Sequence, residues 1–163
     1  MKNSNISKFA NVLAQVNLED IYLRQVFEYY MTCYTASGWA QAYVQNSSRI
    51  PEELRASKSI GLVDRTLGGR LGGQRTLEGG AIRGSMKQAG LFLTTGGELF
   101  RHCVVFPQFE DSGLVVSAVG YRYGQRIRPT QSAVIHWTKP DPDEYCCRGL
   151  KLVEDLTHAK TNH

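Results

Sequence analysis

At 163 residues and 18.2 kDa the chain is the size of one domain, large enough to bury a core without a disulfide or metal staple. Its 42% hydrophobic and 21% charged residues exclude wholesale disorder, and no run of about 18 apolar residues exists to span a membrane. The formal charge of +4 is mild, but twelve of the nineteen basic residues are Arg, and between Arg49 and Arg128 twelve basic residues face seven acidic ones.

An Arg-weighted middle leans towards phosphate-bearing partners, because the guanidinium is a rigid donor fork matched to phosphate oxygens. Base composition of the gene would give the same bias. The opening Met1-Lys2-Asn3-Ser4-Asn5-Ile6 lacks an apolar core and a small-residue cleavage site, so a soluble, cytoplasmic protein is expected.

Along the chain, residues 1–16 read as a frayed lead-in to a single α+β domain over 17–163. Asn17 with Asp20 resembles an N-cap, after which Ile21, Leu23, Val26, Phe27, Tyr30 and Met31 recur at helical spacing. Ser37 can cap a second helix through Trp39, Ala40, Tyr43 and Val44, and Pro51 with Glu52 and Glu53 opens a short third one. Gly68 to Arg75 is a basic loop by composition, and a further helix from about Leu77 to Ala89 stops at Gly90, which suits a left-handed cap. From Leu91 the period changes to two. Leu91–Leu93, Leu99–Phe106, Leu114–Tyr121 and Ala133–Trp137 are expected as strands, with a last helix at about 143–156. The fold class is therefore α+β: a helical part over about 17–90, an antiparallel meander over about 91–138 and a C-terminal helix.

The chemistry-bearing residues form no convincing catalytic set. Gly68 to Gly73 has the outer spacing of a phosphate loop, but Gln74 and Arg75 stand where Lys and Ser/Thr are needed. Asp141-Pro142-Asp143-Glu144 is the one acidic cluster, and its prolines mark a turn rather than a firm support for metal ions. Cys33, Cys103, Cys146 and Cys147 include no C-x-x-C pair, so reduced thiols are expected and no metal site or cofactor is assigned. His136 has no nucleophile partner at a recognisable spacing.

The basic residues cluster more usefully. Arg101 falls in an expected strand, and Arg122, Arg126 and Arg128 surround the end of the next, with Tyr121, Tyr123 and Trp137 among them. Arg for phosphates and aromatics for bases is what a single-strand binding surface requires. Core aromatics with a solvated Arg rim fit the same spacing, and both readings stand.

Three blocks then resemble the amino-terminal part of the catalytic domain of bacterial DnaG-type primases, with the nearest likeness to those of plasmids, phages and integrative elements. The first runs from Ala42-Tyr43-Val44 through Arg49-Ile50-Pro51-Glu52-Glu53-Leu54 to Ile60-Gly61-Leu62. The second is Asp64-Arg65-Thr66-Leu67-Gly68, then Gly80 to Gly84 and Ala89-Gly90-Leu91. The third and most specific is Phe100-Arg101-His102-Cys103-Val104-Val105-Phe106-Pro107 with Asp111-Ser112-Gly113-Leu114-Val115-Val116, similar to the family's F-R-x-R-(V/I)-(V/M)-F-P and the G-x-(V/I)-(V/I) that follows.

The resemblance covers about residues 37–142 and implies a Toprim-N-type subdomain whose basic residues line a template groove. It makes Arg101 a groove candidate and Arg122 a displaced one, near the family's G-G-R tripeptide, with Arg126 and Arg128 where the next basic residue would stand. The departures are Cys103 at the second Arg of F-R-x-R and Tyr121 at the Arg of G-G-R, each removing a positive charge. The family's metal-binding Toprim acids and zinc ribbon do not occur in these 163 residues. The function implied is a module that binds single-stranded DNA or RNA through Arg101, Arg122, Arg126, Arg128 and Tyr121, without polymerase activity of its own. The alternatives are docking on a replication protein or a second copy of the chain, and a small-molecule-binding or vestigial role. No membrane partner is implied.

Overall fold

A computed structural model of the chain describes residues 3–72, 77–124 and 127–140. It opens on α1 (Asn3–Thr35), a helix of 33 residues. No Gly or Pro interrupts this segment, so it lacks the two strongest helix breakers. The expected lead-in is therefore helical from Asn3 onward, and Asn17 and Asp20 lie inside the helix instead of capping it. Leu23, Val26, Phe27 and Tyr30 form its buried stripe, while Ile21 stays exposed. The Gln41 amide donates to the Thr35 carbonyl at 2.9 Å, so α1's last turn is satisfied by the next helix.

That next helix is α2 (Gly38–Asn46), capped as expected by Ser37, whose hydroxyl accepts from Ala40 N–H at 3.3 Å. The four-residue α3 (Glu52–Arg55) follows Pro51. Its Arg55 guanidinium donates to the Ile50 carbonyl at 3.1 Å and also to the Ser47 carbonyl, which fixes the turn carrying Arg49. β1 (Gly61–Leu62) is too short to show a period, and the sequence reading missed it.

The glycine stretch is not all loop. Leu67–Arg70 closes one helical turn, α4, with Leu67 buried beneath it. α5 (Leu77–Ala89) ends at Gly90, whose φ of +81° bears out the left-handed stop. Leu91–Leu93 is not a strand: it makes a single bridge, Phe92 to Glu98.

The meander consists of β2 (Cys103–Phe109), β3 (Val115–Arg122) and β4 (Val134–Thr138), and β1 completes the antiparallel order β1-β2-β3-β4. β2 starts later than expected, because residues 99–102 turn before it. Pro107 sits in β2 opposite Ala118, beyond the reach of β1, where β2 has no second neighbour to bond. The C-terminal helix expected at 143–156 lies outside the described residues.

The sheet is covered on both faces. One face packs Cys103, Val105, Ala118 and Trp137 against Val26, Phe27 and Tyr30 of α1 and Ile82 and Met86 of α5. The other packs Val104, Phe106 and Tyr121 against Ala40 and Val44 of α2 and Ile50. Two glycines allow the closest approaches. A Cβ on Gly61 would lie 2.8 Å from Tyr30 Cβ, and one on Gly120 2.5 Å from Phe100 Cδ1. Trp137 ties β4 to the end of α5, its indole N–H donating to the Ala89 carbonyl at 2.7 Å.

Candidate nucleic-acid interface

The turn before β2 and the end of β3 meet at one end of the sheet's two central strands. Arg101 is exposed and lies in that turn, not in a strand as expected. His102 follows it with φ +61°, and Arg65, in the loop after β1, has φ +70°. These are the two non-glycine residues with left-handed backbone among those described, a conformation that clusters where a structure holds a side chain for a purpose. The Arg65 loop is braced by Asp64, whose carboxylate accepts from Thr66 N–H at 3.1 Å.

β3 delivers Arg122 beside this turn. Its guanidinium spans two loops, with Nη1 donating to the Arg101 carbonyl at 3.0 Å and Nε to the Ser132 carbonyl at 2.8 Å. The Tyr123 backbone N–H donates to the His102 carbonyl at 3.0 Å, and Arg101 Nε donates to His102 Nε2 at 3.3 Å. Partial burial, then the charges of Arg101, Arg65 and Arg122, hold the His102 pKa below its ordinary value of 6.5. Three guanidiniums therefore act on one imidazole.

The ring contacts carry the surface onward. His102 meets Tyr123 edge-on at 5.9 Å between centroids, and Tyr123 meets Trp39 of α2 at 4.9 Å. Trp39 is 53% exposed, high for the largest apolar side chain. It borders an open cleft of about 730 Å³ together with Tyr43, Arg49 and Tyr123. Arg49 Nη1 reaches the Gly124 carbonyl at 3.4 Å, and Tyr43 O–H donates to the Arg122 carbonyl at 3.1 Å. The result is a strip of guanidiniums and rings running from the cleft through Tyr123 and His102 to Arg101 and Arg122.

Of the residues singled out in the sequence, Arg101 and Arg122 are brought together here. Arg128 is exposed in the β3–β4 loop, the same loop that Arg122 pins through Ser132. Arg126 lies outside the described residues. Tyr121 requires a correction: it is 9% exposed and packs edge-on against Phe106 at 5.8 Å, so its ring belongs to the core. Trp137 is core as well. The two rings lie on opposite faces, Tyr121 under α2 and Trp137 under α1 and α5, and both faces are covered.

Arg49, Arg65, His102 and Trp39 were not assigned to a binding surface by the sequence reading. Trp39 carried a legible signal: it stands beside Ala40 and off the Ala40–Val44 stripe, and therefore off the buried side of α2. The glycine stretch does not join the site. Its Gly68 and Gly72 carbonyls accept from Arg83 Nη2 at 2.9 and 3.0 Å, so they face a side chain of the protein itself. Among the described residues no group of three or more His, Cys, Asp or Glu could hold a metal ion, and no helix is long and apolar enough to cross a membrane. Cys146, Cys147 and the 141–144 acidic cluster lie outside the described residues.

Comparison with known structures defines the class of fold. No protein-family model matches the sequence, and no curated protein matches it. The fold itself is a DnaG-primase-like one. The chain is similar to the DnaG primase catalytic domain in a structure described as bound to ssDNA, with a TM-score of 0.55 and 20% identity over 79% of this chain and 41% of that one. It is similar to the zinc-binding and RNA polymerase domains of Aquifex aeolicus primase, with a TM-score of 0.55 and 20% identity over 78% of this chain and 30% of that one. The E. coli primase catalytic core gives a TM-score of 0.51 and 22% identity over 74% and 39%. The chain thus spans less than half the length of these structures, and at such identities the likeness is one of fold.

Proposed function

We propose that this chain is a binding module for single-stranded nucleic acid and does not polymerise nucleotides by itself. The observation that carries the reading is the meeting of Arg101 and Arg122 at His102, with the Arg65 charge nearby, joined through Tyr123 to an exposed Trp39. Guanidiniums can take successive phosphates while Trp39 offers a face to a base, and neither contact depends on sequence. Duplex would hide its bases from Trp39. A primase structure of the same fold is described as bound to ssDNA, which supports this reading. The expectation of no synthesis is compatible with the span of the likeness, under half of the matched primase chains.

The test is fluorescence anisotropy of a labelled single-stranded oligonucleotide at two salt concentrations, with duplex as control. Salt-sensitive binding that prefers the single strand is expected. Equal affinity for duplex would remove the role of Trp39, and no binding at low salt would remove the reading altogether. Purified protein with nucleotides, template and Mg²⁺ should yield no oligoribonucleotide, and a product would show that the chain polymerises.

A further inference from the structure

We propose that nucleic-acid binding on this face is linked to uptake of one proton by His102, so that affinity rises as pH falls. The proposal rests on the binding reading above and names a regulation of that same site.

Arg101 of its own turn touches the His102 ring at 3.3 Å and the Tyr123 ring meets it edge-on, while the charges of Arg65, in the loop after β1, and Arg122, on β3, act on it from further away. Carboxylates of the same neighbourhood are Glu98, which accepts from Tyr30 O–H at 2.8 Å, and Asp64, both within reach of the Arg65 charge or its loop. In the free protein Nε2 accepts the Arg101 Nε–H, an arrangement that only a neutral imidazole can make. His102 is then uncharged at neutral pH and holds the Arg101 side chain against the turn.

A phosphate placed among the three guanidiniums cancels much of their repulsion on the ring. The pKa of His102 rises, and in the window between its free and bound values one proton passes from solvent to Nε2 on binding. The protonated ring becomes a donor at both nitrogens, so the bond from Arg101 breaks and that guanidinium is freed to turn to the phosphate. The sign follows from linkage: a ligand that raises a pKa binds tighter where the group is protonated, so affinity increases towards low pH.

The affinity of oligothymidylate, whose bases do not titrate in this range, is measured between about pH 5.5 and 8. The logarithm of the wild-type association constant should climb as pH falls, with a slope approaching one proton, up to about tenfold per unit that His102 is raised. His102→Asn should bind at pH 8 and lose that slope, since Asn tolerates the left-handed backbone and does not titrate. Glu98→Gln should keep the slope. In NMR titrations the His102 Cε1–H of Arg101→Gln should report a pKa closer to 6.5 than in the wild type, and saturating oligothymidylate should raise the wild-type value. Binding with the same pH slope in His102→Asn, or a His102 pKa unmoved by the oligonucleotide, overturns proton linkage and leaves the binding reading intact. No binding at any pH overturns both.

Discussion

His102, Arg101 and Cys103 are neighbours in sequence with three different fates, decided by a turn that ends where β2 begins. Arg101 stays in solvent, His102 adopts a left-handed backbone in the turn, and Cys103 enters the core. Burial pushes the Cys103 thiol up to about 12, far above the range in which a thiolate would be available. Peptide mapping after brief iodoacetamide treatment of native protein at about pH 8 should therefore find Cys103 unmodified and the half-buried Cys33 alkylated. Rapid alkylation of Cys103 would mean that the β2 end opens. Arg101 and Arg122 also divide their work. Arg101→Ala should flatten the salt dependence of oligonucleotide binding by about one unit with the melting temperature unchanged. Arg122→Ala should additionally lower the melting temperature, because its guanidinium joins the β3–β4 loop to the turn before β2. Trp39→Ala should weaken binding by about 1–3 kcal/mol if a base stacks there.

At the scale of elements, the sheet depends on contacts too close for a side chain. Gly120 of β3 faces Phe100, and an alanine methyl would overlap that ring at 2.5 Å, with Cys103 Cβ behind it at 3.2 Å. Gly120→Ala should cost about 1–3 kcal/mol of unfolding free energy in urea, as overpacked cores do. A neutral result would show that Phe100 can swing aside. Trp137→Phe probes the edge strand β4: it keeps most of the apolar volume but strands the Ala89 carbonyl at the end of α5. A loss of about 1–3 kcal/mol is expected, the cost of a buried acceptor left unpaired. The helices were more legible than these contacts. Ser37 and Gly90 announced where α2 begins and α5 ends, since caps are local chemistry. β1 was not legible, because two residues show no period and its place depends on β2.

For the whole molecule, a sheet covered on both faces leaves its strand ends and loops as the candidate binding surface, where Arg101 and Arg122 meet. Wild-type affinity for single strands should fall steeply between low and physiological salt, and more steeply the more phosphates the Arg strip neutralises, because each one releases counterions from the strand. A salt-insensitive interaction would assign binding to Trp39 and the cleft beside it rather than to the Arg strip. The fold comparison fits this layout without supplying it. The chain aligns with under half of each primase structure, and Arg49, Arg65, His102 and Trp39 come together through this chain's own turns.

The α+β class, the order of helices before a meander, the helix caps and the Arg enrichment were determined by sequence alone, because each rests on residues within a few positions of one another. That Tyr121 is sealed from water was decided by the tertiary structure, whereas Trp39 already stood off the buried stripe of α2. Tyr121 and Trp39 are similar large amphipathic residues, yet one is sealed under α2 and Phe106 while the other stands free beside Tyr123. The encirclement of His102 is likewise tertiary: Arg65, Arg101 and Arg122 come from three separated segments, and only strand pairing sets their charges on one ring.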